Sequence, residues 1–216
     1  MSKIKAIIFD MDGVLIDAKE WHRKAFVSAL SHFGYDISSE ILEDFEGLPT
    51  KKKLEILSIE KGLPKDLHES INKLKQTYTI EFINSNCKPL AIHQEALSKL
   101  KSEGYRIALA SNSVRATIDL MLEKADLNKY FEFTLSNQDV KEPKPNPEIY
   151  LKTLEKLGLK SDECLVVEDS PNGIEAAIKS GAYVLEVKSV FDVTYQNVKN
   201  KINQIEQSLI MENVKW

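Results

Sequence analysis

Residues 4–13 read Ile4-Lys5-Ala6-Ile7-Ile8-Phe9-Asp10-Met11-Asp12-Gly13. The apolar run Ile4–Phe9, broken once by Lys5, has the length and composition of a strand buried on both faces. It ends on two carboxylates one residue apart, followed by a glycine that permits a tight turn. Carboxylates crowded at a strand end cost free energy unless a cation or hydrogen bonds stabilise them. Such a pair in such a place asks for a chemical role.

Outward from this strand, further short apolar runs follow at Arg106–Ala110, Phe131–Leu135, Leu165–Val167 and Tyr183–Val187. Helical periodicity between them predicts helices over Gln94–Glu103, Arg115–Ala125, Pro147–Leu157 and Asn172–Ser180, with Gly104, Gly158 and Gly181 just past three of them as stop signals. Strands alternating with helices predict an α/β fold with a parallel, Rossmann-like sheet and right-handed crossovers. The stretch from Asp17 to Cys87 breaks the alternation. Its apolar residues recur at helical spacing (Trp21, Ala25, Phe26, Ala29, Leu30, Phe33, then Leu54, Leu57, then Leu67, Ile71, Leu74, Tyr78), punctuated by Gly34, Gly47 and Gly62. This predicts a helical cap of about four helices over residues 17–87, inserted into a core made of residues 1–16 and 88–216. The polar tail beyond Phe191 is expected to form a terminal helix packed on that core.

Composition narrows the function. Of 216 residues, 43% are hydrophobic and 29% charged, an ordinary globular balance. No run approaches the ~20 apolar residues of a membrane helix, and the N-terminal apolar run is too short for a secretory signal. A cytoplasmic, monomeric protein with no membrane partner is expected. The net charge of −4 argues against a nucleic-acid partner. Cys87 and Cys164 do not form a Cys-x-x-Cys pair, so both are expected to be reduced and inert. His32, His68 and His93 are assigned to the surface, and Trp21 to packing.

Open parallel sheets place their sites beyond the carboxyl ends of the strands. The residues there are Asp10 and Asp12, Ser111 and Asn112, and Glu168 and Asp169, with Lys144 in the loop Glu142-Pro143-Lys144-Pro145-Asn146-Pro147. Crowded carboxylates of this kind suit a hard divalent cation, Mg²⁺ above all. Ser, Asn and Lys are a reasonable phosphate cradle. The prolines around Lys144 restrict its backbone, and Pro147 suits the start of a helix.

Those four motifs, in this order and at these strand ends, make the chain similar to the haloacid dehalogenase-like superfamily of phosphohydrolases. The helical insertion resembles the cap of the subgroup that includes β-phosphoglucomutase and phosphoglycolate phosphatase. The resemblance implies that Asp10 is the nucleophile and becomes an aspartyl-phosphate, and that Asp12 is the general acid and base. It implies Mg²⁺ on Asp10, the carbonyl oxygen of Asp12 and Asp169, with Glu168 as a ligand or a support behind the ligands. Ser111 and Asn112 would hold phosphoryl oxygens, and Lys144 would neutralise charge. His22, on the first cap helix, is either a partly exposed helix histidine or, as the resemblance implies, an aid to placing Asp12.

The cap loop at Glu46, Gly47, Leu48, Pro49 and Thr50 would meet the substrate. There the mutase places an arginine, where this chain has Thr50, and a lysine, where it has Glu46. Lys51, Lys52 and Lys53 either restore that charge or form a solvated first turn. Ala18 stands where the family has a hinge threonine. A phosphatase acting on a small phosphorylated sugar, polyol or related metabolite is therefore preferred to a sugar-phosphate mutase. A receiver-type phospho-acceptor, near ~120 residues and without a large insertion, is a third reading.

Overall fold

The computed structural model describes residues 3–45 and 48–213. Glu46 and Gly47, both expected in the cap loop, lie outside the described residues. In chain order come β1 (Ala6–Phe9), α1 (Lys19–His32), α2 (Ser39–Asp44), α3 (Thr50–Lys61), α4 (His68–Asn86), α5 (Ala91–Ser102), β2 (Arg106–Ala110), α6 (Arg115–Lys124), β3 (Phe133–Leu135), α7 (Glu148–Leu157), β4 (Cys164–Glu168), α8 (Pro171–Ser180), β5 (Tyr183–Glu186) and α9 (Tyr195–Asn213). The expected α/β class, with a parallel sheet and a helical insertion after the first strand, is the observed one.

The sheet is parallel throughout, in the order β3-β2-β1-β4-β5. Ile7 of β1 pairs with Ile107 of β2 on one side and Leu165 of β4 on the other, so β1 is central. Alternation along the strand sends successive side chains to opposite faces. Ile7 and Phe9 join Leu97, Leu100, Ile118, Val198 and Ile202 in one buried cluster, under α5, α6 and α9. Ala6 and Ile8 join Ile149, Tyr150, Ala176 and Ala177 in another, under α7 and α8. A strand covered on both faces must be apolar at every position, which is why residues 6–9 read as a run without alternation. The terminal helix α9 packs on the sheet as expected, through Val198, Ile202 and Ile205.

Helices α1 to α4 share a third cluster built on Phe26, Leu30, Phe45, Leu54, Leu57 and Ile71. Trp21 and Ile83, at the ends of α1 and α4 nearest the sheet, belong instead to the main core. The helical block thus has its own apolar centre and two roots in the sheet domain.

Boundaries differ from expectation where the strand ends run into loops. β3 starts at Phe133 rather than Phe131, and α5 starts three residues before Gln94. Two histidine assignments also need correction. His93 is buried, with Nε2 2.8 Å from the Val190 carbonyl, because that hydrogen bond satisfies the ring inside the core. His68 is half-buried against the Ser58 hydroxyl. Cys87 and Cys164 are free and buried, and burial pushes their thiols up to about 11 and about 12 respectively, so neither forms a thiolate at neutral pH. None of the described helices is long and apolar enough to cross a membrane.

Candidate active site

Order β3-β2-β1-β4-β5 puts the point where the chain reverses direction between β1 and β4, and the crevice outside their carboxyl ends is where such folds bind ligands. Asp10 leaves β1 there, and Glu168 and Asp169 leave β4. One oxygen from each of these three carboxylates lies within 4.8 Å of the others.

Lys144 reaches into this group. Its ammonium donates to Asp10 Oδ1 at 2.7 Å, Glu168 Oε1 at 2.7 Å and the Ala110 carbonyl at 2.9 Å, and only 3% of its side chain is exposed. Two contacts with Asn112 hold the lysine backbone: Lys144 N–H donates to Asn112 Oδ1 at 3.1 Å, and Asn112 Nδ2 donates to the Lys144 carbonyl at 3.5 Å. The Tyr150 ring lies 4.8 Å from the ammonium, and the Tyr150 hydroxyl donates to Glu168 Oε1 at 2.8 Å. Desolvation opposes the lysine's charge, but Asp10 and Glu168 outweigh it and hold Lys144 protonated, above its ordinary value. Burial, reinforced by Glu168 and Asp12 and only partly offset by Lys144, pushes the Asp10 carboxyl well above its usual range.

Glu168 is fully buried and fully used. Its Oε2 accepts from the backbone N–H groups of Asp169 and Ser170 at 2.9 and 3.2 Å. Gly173 on α8 makes room: a Cβ there would lie 1.8 Å from Glu168 Oε1. Ser170 caps α8 by accepting from Gly173 N–H at 3.1 Å, with Pro171 opening the helix. Glu168 is therefore a brace for Lys144 and for the turn that carries Asp169. Asp169 differs. Its Oδ2 faces the Lys19 ammonium at 2.7 Å, while Oδ1 is buried and accepts no hydrogen bond. An orphaned buried carboxylate oxygen beside Asp10 is the donor set that a hard divalent cation fits.

Asp12 has a different setting. The turn after β1 is tight: Gly13 N–H donates to the Ile16 carbonyl at 2.7 Å, and Gly13 sits at φ +87°. Asp12 Oδ2 accepts from the Ser113 hydroxyl at 2.7 Å, with Ser111 Oγ farther off at 3.5 Å. Asp12 Oδ1 lies 3.0 Å from His22 Nε2, and Lys75 Nζ on α4 lies 3.1 Å from His22 Nδ1. An ammonium can only donate, so Nδ1 accepts and Nε2 carries the hydrogen given to Asp12. Burial alone would raise Asp12, but His22, Ser113 and Lys75 outweigh it and hold its carboxyl below the usual value. Desolvation and the charge of Lys53 bring Lys75 down to about 8. His22 is likewise held low, by desolvation and by Lys75.

Among the expected site residues, Asp10, Lys144, Glu168 and Asp169 converge, and Asp12, Ser111 and His22 lie beside them. The Asp12 side chain is outside the three-carboxylate group. Thr50 opens α3, and among the described residues no hydrogen bond or ion pair joins it to either aspartate. Five residues had not been singled out: Lys19, Ser113, Lys75, Tyr150 and Gly173. Only Ser113 left a legible signal, as a second hydroxyl two positions after Ser111. Gly13 invites a direct check. A Cβ there would lie 2.0 Å from Asp169 Oδ2, and positive φ costs an L residue about 1–2 kcal/mol more. Gly13→Ala is expected to melt at least about 5 °C below wild type, measured by circular dichroism.

The family model for haloacid dehalogenase-like hydrolases matches residues 7–187. The chain is 33% identical to the phosphorylated carbohydrates phosphatase of Thermotoga maritima over 82% of each chain. It is 27% identical to a fructose-1-phosphate phosphatase of Escherichia coli, over 84% of this chain and 95% of that one. The crystal structure of a β-phosphoglucomutase from Clostridium difficile superposes with a TM-score of 0.81, over 93% of this chain and 98% of that one, at 23% identity, which speaks to the fold alone. With the strand-end carboxylates, the buried lysine and the helical insertion in place, the chain belongs to the haloacid dehalogenase-like hydrolase family and is an enzyme of its phosphatase branch.

Proposed function

We propose that the protein is a Mg²⁺-dependent phosphatase that hydrolyses a small phosphorylated sugar, polyol or related monoester through an aspartyl-phosphate on Asp10. The observation that carries this reading is the contrast between two aspartates two positions apart. Asp10 is buried on Lys144 beside Asp169, and Asp12 is turned to Ser113 and His22. Environments that differ this much assign different tasks to like groups. Residues 17–87 are taken as the cap that encloses the substrate, and residues 1–16 and 88–216 as the core.

Asp10 attacks phosphorus in line, and the alkoxide leaves on the far side. Lys144 stays on Asp10 throughout, limiting the charge built up around the phosphoryl group. Asp12 gives its proton to the leaving oxygen and then takes one from the water that opens the acyl-phosphate. In the protein alone, the carboxyl shifts run against these tasks, with Asp10 raised and Asp12 lowered. A phosphoryl dianion beside Asp12 reverses the second shift by like-charge repulsion. Asp10, Asp169 and the Asp12 carbonyl would hold a divalent cation, whose charge would favour an ionised Asp10 and stabilise phosphoryl oxygens. Ser111, whose hydroxyl lies 3.5 Å from Asp12, and Asn112, which anchors Lys144, would hold phosphoryl oxygens.

The relatives named for phosphorylated carbohydrates and fructose 1-phosphate support a sugar or polyol ester. The uncharged Thr50 at the start of α3 favours hydrolysis over a mutase that grips a second phosphate. A phosphate-release screen over phosphorylated sugars, polyols, glycolate and amino-alcohols tests the reading. Release in millimolar Mg²⁺, abolished by EDTA and restored by Mg²⁺, is expected. Undiminished release in excess EDTA contradicts it. Conversion of β-glucose 1-phosphate to its isomer without net phosphate release favours the mutase instead.

A further inference from the structure

Lys19 is the first residue of α1, the first helix after β1. Its ammonium sits 2.7 Å from Asp169 Oδ2, and the Asp169 side chain is only 2% exposed. The lysine stem crosses the turn below it, where a Cβ on Gly13 would lie 2.6 Å from Lys19 Cε. Asp169 is also the carboxylate with the orphaned Oδ1, in the group with Asp10 and Glu168. So a cationic side chain from the first helix of the insertion is seated on the acidic cluster itself. The proposed chemistry does not use it: Asp10 has Lys144, and Asp12 has His22 and Ser113.

We propose that Lys19 is a tethered counter-ion that competes with the divalent cation for Asp169, and so sets the metal affinity and couples metal loading to the junction between sheet and cap. This rests on the metal site proposed above. An ammonium and a divalent cation repel strongly at contact distance, even with screening. A cation taking Asp169 must therefore displace Lys19 or bind beside it against that repulsion, and both routes weaken binding. The lysine side chain is 41% exposed, so it has a path into water. Residue 19 begins α1, and Ala18 before it makes no side-chain cap, so release of the ammonium loosens the one ion pair described between that helix start and Asp169.

The test uses the full chain stripped with chelator, as wild type, Lys19→Met and Lys19→Arg. Free Mn²⁺ is followed by electron paramagnetic resonance, and Mg²⁺ binding by calorimetry. Lys19→Met is expected to bind both ions about tenfold more tightly, while Lys19→Arg, which keeps the charge, stays within about threefold of wild type. Without metal, Lys19→Met is expected to melt below wild type, because Asp169 loses its counter-ion, and to show the larger rise in melting temperature on adding Mg²⁺. Equal or weaker metal binding by Lys19→Met overturns the proposal, as does an arginine variant that binds as tightly as the methionine one. Absence of saturable binding in all three proteins overturns the metal site itself and this inference with it.

Discussion

Asp10→Asn is expected to lower turnover of a model substrate such as p-nitrophenyl phosphate by about 10⁴-fold or more, the order of loss that removing the proposed covalent nucleophile would bring. The fold is expected to survive. Asparagine has the same shape, and its amide oxygen can still accept from Lys144, which donates to Asp10 Oδ1 at 2.7 Å. The exchange also removes one of three carboxylates crowded within 4.8 Å of one another. Burial, Glu168 and Asp12 already disfavour the charge of Asp10. The metal-stripped variant is therefore expected to melt no lower than wild type. Brief reaction with radiolabelled substrate followed by acid quench should leave label on wild type and none on the variant. A variant that keeps most of the activity would move the nucleophile elsewhere.

Lys144→Met is expected to be the most destabilising single exchange at the site. The ammonium is 3% exposed and joins Asp10, Glu168 and the Ala110 carbonyl. Removing it leaves two buried carboxylates facing each other without a cation. Breaking a buried pair from one side costs about 3–5 kcal/mol, which for a chain of this size lowers the melting temperature by roughly 10 °C. The pH dependence separates charge from packing. With the lysine gone, Glu168 loses the charge that now holds its carboxyl low, and Asp10, already raised by burial, is expected to rise further. Their cost is then present at neutral pH and relieved as pH falls through the raised values. The deficit against wild type, measured in EDTA, should therefore shrink on acidification and be largest at neutral pH and above. A constant deficit would mean that lost packing on Tyr150, whose ring lies 4.8 Å from the ammonium, dominates.

Local reading reached most of the scaffold because its signals are short-range. β1, covered on both faces, cannot be anything but apolar at Ala6, Ile7, Ile8 and Phe9. Gly158 and Gly181 close α7 and α8 in the left-handed conformation that glycine adopts most easily. His93 was misassigned because its partner, the Val190 carbonyl, is 97 residues away. Such a distant acceptor leaves no trace near residue 93.

The residue types along the chain determined by themselves that four carboxylates, a serine, an asparagine and a lysine stand at the ends of parallel strands, because strand ends and helix stops are encoded over a few neighbouring residues. Only the tertiary structure decided which partners each of those groups meets. It made Glu168 a brace held by Tyr150 and two backbone N–H groups, left Asp169 Oδ1 without a hydrogen bond, set Ser113 on Asp12, and brought Lys75 of α4 onto the His22 that meets Asp12. The role of an ionisable side chain is set by burial and by the charges within a few ångströms of it. Those neighbours come from segments tens of residues apart, so the role becomes defined only when the chain closes around the group.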